Sequence, residues 1–259
     1  MTQPLHAHFF GCSLTAGDEL SDEKYLPWKF VEEHTTESYY EKRKRLGSNY
    51  DWVKYQEENK LQSYPALISQ TDPNIKTYNH AHNGKSHRRN ILDILRLVEE
   101  STQKIDVIYF QLSPSDREII IGDDCIYDII DAHGDDITQE YIIAKLKLAR
   151  LEHQSIQDSM DIHLLTGYLK TKNIPFYFLN FGGELDRRIA DIKTAILHNE
   201  FDGTINFDFL RFEEFTNLIN LSYLNFKYDR LIGGHMPKEQ HHEIAKFITQ
   251  HIKEITNKY

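Results

Sequence analysis

Two cysteines in 259 residues, Cys12 and Cys125, exclude a disulfide-stapled scaffold and point to a reducing compartment. No apolar run approaches the length of a membrane-spanning helix, and the first residues lack the basic-then-apolar pattern of a secretory leader. The reading therefore expects a cytoplasmic protein with no membrane partner. Positive charge is also short. Thirty Lys and Arg against 40 Asp and Glu give a formal net charge of −10, the reverse of a nucleic-acid binder's basic footprint, so no nucleic-acid partner is expected. Internal repeats, low-complexity tracts and linkers rich in Pro, Gly or Ser are missing, and one domain over 1–259 is the simplest organisation.

What is present is an ordinary globular composition, 40% hydrophobic and 27% charged, in a chain long enough to bury a substantial core. Short apolar runs flanked by turn residues predict strands at His6–Gly11, Ile75–Asn79, Ile105–Leu112 and Ile174–Phe181. Helical periodicity appears at Tyr64–Gln70, Arg88–Glu100, within Thr138–Lys172 and at Glu239–Ile255. Strands alternating with helices predict an α/β fold, a parallel sheet with helices on both faces. Residues from about 20 to 63 stand apart, with eight aromatics from Tyr25 to Tyr55 interleaved with charges. That insertion reads as a helical elaboration, a lid or an oligomer surface.

Two places carry chemistry. Ser13 follows the first predicted strand directly after Gly11-Cys12, at the carboxyl edge where open α/β sheets bind ligands. Taken alone it reads as a helix N-cap. Far away in sequence, Gly233-Gly234-His235 precedes the last helix, a setting that core burial explains poorly. A serine and a histidine, each at a loop–helix junction, suit a nucleophile and its base.

With both ends read, the chain resembles the SGNH (GDSL) hydrolase family through four short blocks. Gly11-Cys12-Ser13-Leu14-Thr15-Ala16-Gly17 is similar to the first, with Cys12 where the family often has aspartate. Asn79 to Ser86 resembles the second through Gly84, Ser113-Pro114-Ser115-Asp116 stands at the third, and Gly234-His235 with His241 resembles the last. The resemblance implies a three-layer α/β/α fold, flavodoxin-like in strand order. It implies a cofactor-free serine esterase in which Ser13 attacks a small acyl ester, such as O-acetyl on carbohydrate, and His235 takes the proton. It implies an oxyanion hole built from the backbone N–H groups of Ser13 and Gly84 and a third donor.

Two departures from the family follow. Ser115 stands where the third block's asparagine is expected, leaving Ser115 or Gln111 as the third donor. Ile232 stands where the family's aspartate precedes the histidine by three residues. The acid is then Asp229, a more distant carboxylate or a backbone carbonyl, or the site is a Ser–His dyad. Lys85, Arg88 and Arg117 flank the expected site and are candidate substrate contacts. Histidine pairs such as His80 and His82 lack an ordered metal-ligand pattern, and no metal site is expected. Two rivals stay open on these residues: a binding or assembly protein that kept the fold and lost efficient catalysis, and an acyltransferase on the same site.

Overall fold

Strand β1 (Leu5–Phe10) is the hinge of the architecture. It pairs in parallel with β2 (Ile75–Asn79) on one side and β3 (Val107–Gln111) on the other. The computed structural model describes residues 3–18, 20–21, 52–82, 84–112, 118–121, 126–129, 151–181, 217–221, 223–224, 227 and 235–256. Between β3 and the next sheet strand, a separate antiparallel hairpin joins β4 (Glu118–Ile121) to β5 (Ile126–Ile129). The main sheet then continues through β6 (Phe176–Asn180) to β7 (Leu218–Asn220), all in parallel. Its order is β2-β1-β3-β6-β7. With the hairpin set aside, this is the doubly wound order whose direction reverses between β1 and β3, and ligands bind such sheets at that switch point.

Helices cover both faces, and strand alternation explains why. Ala7 and Phe9 of β1 and Val107 and Tyr109 of β3 point to one face. There they meet α3 (Tyr64–Thr71) and the carboxyl-terminal α6 (Lys238–Thr256), through Tyr64, Ile68, Ile244, Ile248 and Ile252. Phe10, Ile108, Phe110 and Phe178 point the other way, against Ile94 of α4 (His87–Glu100) and Leu165 and Leu169 of α5 (Leu151–Thr171). Strands buried on both faces are near-continuously apolar, which is why they stand out in the sequence. Each fully buried Phe or Leu adds about 1.5–3 kcal/mol. The fold is thus a three-layer α/β/α arrangement on a parallel sheet.

The predicted strands and helices match to within a residue or two at each end, save that the long predicted segment is helical from Leu151 and its residues 138–150 lie outside the described residues. Strands β4, β5 and β7 were not predicted, while helix α2 (Trp52–Gln62) falls within the 20–63 stretch read as a helical elaboration, a lid or an oligomer surface. Helix α2 is weakly amphipathic in sequence, yet Tyr55 and Asn59, one helical turn apart, are buried. No described helix is long and apolar enough to cross a membrane.

Candidate active site

The chain leaves β1 through Gly11 and Cys12 and enters a one-turn helix, α1 (Ser13–Ala16). Glycine is required at position 11 because a Cβ there would lie 2.6 Å from Gln111 Oε1 and 2.7 Å from Thr15 Oγ1. The Gly11 N–H donates to Asn90 Oδ1 at 3.1 Å, so α4 anchors the exit from the strand. Gln111, at the end of β3, anchors the rest. Its Oε1 accepts from the backbone N–H of Cys12 (3.2 Å) and of Thr15 (3.1 Å) and from the Thr15 hydroxyl (2.7 Å). Its Nε2 donates to Cys12 Sγ at 3.1 Å. Gln111 therefore reaches the turn that carries Ser13, and its oxygen serves as an acceptor that shapes that turn.

A third clamp comes from β2, where Asn79 Nδ2 donates to Thr15 O and to Ser63 Oγ, both at 3.1 Å. A fourth comes from α3. The single Thr15 hydroxyl proton goes to Gln111, so the Tyr64 hydroxyl, 2.9 Å from Thr15 Oγ1, is the donor in that pair. Burial pushes the Tyr64 phenol well above its usual range and keeps it protonated for that role. Gln111, Thr15, Asn79 and Tyr64 thereby satisfy one another in the interior, as buried polar groups require.

Ser13 itself is 4% exposed, and its hydroxyl makes a long contact, 3.9 Å, with Cys12 Sγ. After α1 the chain reverses at Gly17, whose φ of +79° lies in the left-handed region that favours glycine. The reversal lets both Gly17 and Asp18 donate their N–H to Ser13 O, at 2.9 and 3.0 Å. The Asp18 side chain turns inward beside the serine's turn, and its Oδ1 accepts from the Tyr55 hydroxyl of α2 at 3.3 Å.

His235 arrives at this turn from the other end of the chain. Met236 is fully buried in the core cluster, and Pro237 O receives the first N–H groups of α6, from Gln240 and His241. Held so, the His235 ring is 19% exposed and its Nε2 lies 3.8 Å from Asp18 Oδ2. The fold brings His235 to the carboxylate five residues past Ser13, while among the described residues no hydrogen bond joins His235 to the Ser13 hydroxyl. Beneath it, His241 accepts the Tyr64 N–H on Nδ1 at 3.1 Å. Burial, reinforced by the neighbouring His242 and His235, pushes the pKa of His241 down to about 3, so it stays neutral.

Gly84 of the second block is buried and adopts φ +77°, a conformation that favours glycine. The block continues into Ser86, which caps α4 by accepting from Arg89 N at 3.2 Å. Lys85 is buried, with Nζ donating to His80 O at 2.8 Å and paired to Asp93 Oδ2 at 2.5 Å. That is an internal ion pair supporting the Gly84 loop. Arg88 sits on the outer helix layer, its Nε 2.8 Å from Asp161 Oδ2. It lines a groove of about 490 Å³ between α4 and α5, to which no residue of the Ser13–Asp18 turn contributes. Ser115, Arg117 and Asp229 lie outside the described residues.

Several histidines besides His241 are interior. His8 and His87 are buried, and His87 meets the Phe110 ring edge-on. The His80 ring lies between His8 and Phe10, with centroids 5.3 and 4.6 Å away. His8 Nε2 faces Lys104 O at 3.2 Å, and a carbonyl only accepts, so Nε2 carries the proton. His8 Nδ1 then accepts from His80 Nε2 at 3.0 Å. Burial first, and then His8, push the pKa of His80 down to about 4. The two rings are thus bonded to each other as a neutral pair.

Asp18, Tyr55, Asn79 and Asn90 were not singled out from sequence. Asp18 had a signal, since it follows Gly17 at the end of the first block. Asn79 opens the second block and Tyr55 ends the aromatic stretch, but neither was given a role there, and Asn90 had no signal.

No protein-family model matches the chain, and no curated protein matches it. Among solved structures, one similar chain is a protein assigned to the lipolytic G-D-S-L family, from Desulfitobacterium hafniense DCB-2. It has 10% identity and a TM-score of 0.46, covering 95% of this chain and 98% of its own. Another is a mutant of Axe2, an acetyl-xylooligosaccharide esterase from Geobacillus, at 12% identity and a TM-score of 0.42, covering 96% and 94%.

Proposed function

We propose that the protein is a serine-dependent ester hydrolase acting on small acyl esters. The observation that supports it best is the arrival of His235 at the turn that carries Ser13, at the switch point of a doubly wound sheet. Ser13 Oγ attacks the ester carbonyl carbon as His235 takes its proton, because a neutral hydroxyl is a weak nucleophile. The oxyanion formed requires preorganised donors, for which the backbone N–H groups of Ser13 and Gly84 are the candidates. Collapse breaks the bond to the alcohol, which leaves with the proton from His235. Water then gives a proton to His235 and attacks the acyl-serine, and collapse releases the acid and restores the Ser13 hydroxyl. A serine only 4% exposed favours a small acyl group.

The same enclosure, with the hydroxyl turned to Cys12, favours one rival, a fold retained for binding after catalysis was lost. Transfer of the acyl group to an alcohol instead of water is the related alternative. Hydrolysis of p-nitrophenyl acetate by the full chain, beside Ser13→Ala and His235→Ala, separates the first two. Turnover that both substitutions abolish, with melting unchanged, upholds the hydrolase. An inactive wild type that also ignores a fluorophosphonate probe supports the binding protein. Added alcohol that yields a new ester identifies the transferase.

A further inference from the structure

We infer that Asp18 is the carboxylate that orients His235, an assignment that rests on the hydrolase reading and fills the place it leaves open. A carboxylate that orients the base must be fixed in place and aimed at one of its ring nitrogens. Asp18 meets each condition. Its side chain is 5% exposed, and Oδ2 lies 3.8 Å from His235 Nε2. The Tyr55 hydroxyl restrains Oδ1 at 3.3 Å.

The backbone fixes it further. Asp18 N donates to Ser13 O at 3.0 Å, so nucleophile and carboxylate ride on one turn. Gly17 makes the reversal, and a Cβ there would lie 2.8 Å from Asn59 O and from Ser63 Cβ. Helix α2 therefore presses on this turn from outside while Tyr55 holds the carboxylate within it. The sequence insertion that contains α2 thus serves the site as scaffold.

The distance is consistent with this role. At 3.8 Å the pair is longer than a hydrogen bond of 2.7–3.2 Å, as unliganded catalytic contacts often are. When His235 takes the serine proton, the ring becomes a cation facing a fixed anion, and the attraction grows at that moment. Asp18 acts through His235 without touching the ester, so it is a positioning residue. Its loss should lower kcat and leave KM nearly unchanged.

The test is Michaelis kinetics of the full chain on p-nitrophenyl acetate for wild type, Asp18→Asn, Tyr55→Phe and Asp229→Asn, with thermal melting and the rate of fluorophosphonate labelling alongside. Asp18→Asn keeps the shape and removes the charge, and kcat is expected to fall by about 100-fold or more at a KM within about twofold. Tyr55→Phe removes only the restraint and should cost about 3- to 10-fold in kcat. A wild-type kcat in Asp18→Asn, or a loss carried by Asp229→Asn instead, overturns the inference and leaves the hydrolase standing. If Asp18→Asn does not fold, Tyr55→Phe decides: a lowered kcat at unchanged melting supports the inference, and a wild-type kcat overturns it. Activity that survives Ser13→Ala overturns the hydrolase reading itself.

Discussion

Gln111 and Thr15 share two hydrogen bonds across the switch point, with Gln111 Oε1 accepting from both the backbone N–H and the hydroxyl of Thr15. A third bond, from Cys12 N, ends on the same oxygen. One buried amide oxygen at the end of β3 thereby sets the shape of the turn that displays Ser13. Gln111→Ala would leave three interior donors without an acceptor. The expected loss is about 2–4 kcal/mol of unfolding free energy, read by urea denaturation. Fluorophosphonate labelling of Ser13 should slow in the same variant. A midpoint shift under a tenth of the wild-type value would show that water replaces the amide without cost.

Gly11 tests the same turn by crowding it. Its added Cβ would approach Gln111 Oε1, Gln111 Cβ and Thr15 Oγ1, all at 2.6–2.7 Å, and none of the three is the loose end of a long chain. Gly11→Ala is expected to destabilise by about 1–3 kcal/mol, in spite of the lower chain entropy that alanine confers on the unfolded state. A more stable Gly11→Ala in thermal melts would mean the turn relaxes freely.

Lys85 separates a structural from a substrate-binding role. Its ammonium is enclosed with Asp93 and His80 O, so Lys85→Met should act through folding. Removing one partner of a buried pair costs several kcal/mol, but Asp93 is 25% exposed and water screens it. We expect about 1–3 kcal/mol lost in denaturant titration. Esterase KM is expected to stay within about twofold of wild type. A KM raised tenfold at unchanged stability would assign Lys85 to the substrate.

His241 imposes a pH limit on the fold. Its pKa is lowered from 6.5 to about 3 in the folded chain, so the unfolded state binds the proton more readily. The stability it contributes is complete above pH 6.5, and it declines as pH falls from there toward about 3. His80, lowered to about 4, adds in the same direction. His241→Asn retains an acceptor for Tyr64 N and removes the titration, so its unfolding free energy should vary less between pH 6.5 and 4 than that of wild type. Parallel curves for the two proteins would place the acid sensitivity elsewhere.

Strands β1, β3 and β6 were legible as sequence because burial on both faces leaves a mostly apolar run, whereas β2, a half-exposed edge strand, was legible from its length and its flanking turn residues. Helices α4 and α6 were legible for the complementary reason: Ile91, Ile94, Leu95 and Val98 on one, and Ile244, Ile248 and Ile252 on the other, recur on a single helical face. Strand β7 was not, since three residues are too few to carry a period. Nor were the bounds of α2, whose buried side chains Tyr55 and Asn59 are aromatic and polar. Local sequence likewise marked Ser13, Gly84 and His235 as loop residues beside regular elements.

Which residues meet was decided by tertiary structure alone. The order β2-β1-β3 carries Asn79 and Gln111 to either side of the Ser13 turn. Burial of Met236 and the seating of α6 on α3 carry His235 to Asp18. Periodicity encodes which side of an element faces the core, a local property that hydrophobicity enforces residue by residue. The partner of a lone polar side chain depends on where the whole sheet places a distant strand end, and no short-range pattern records that.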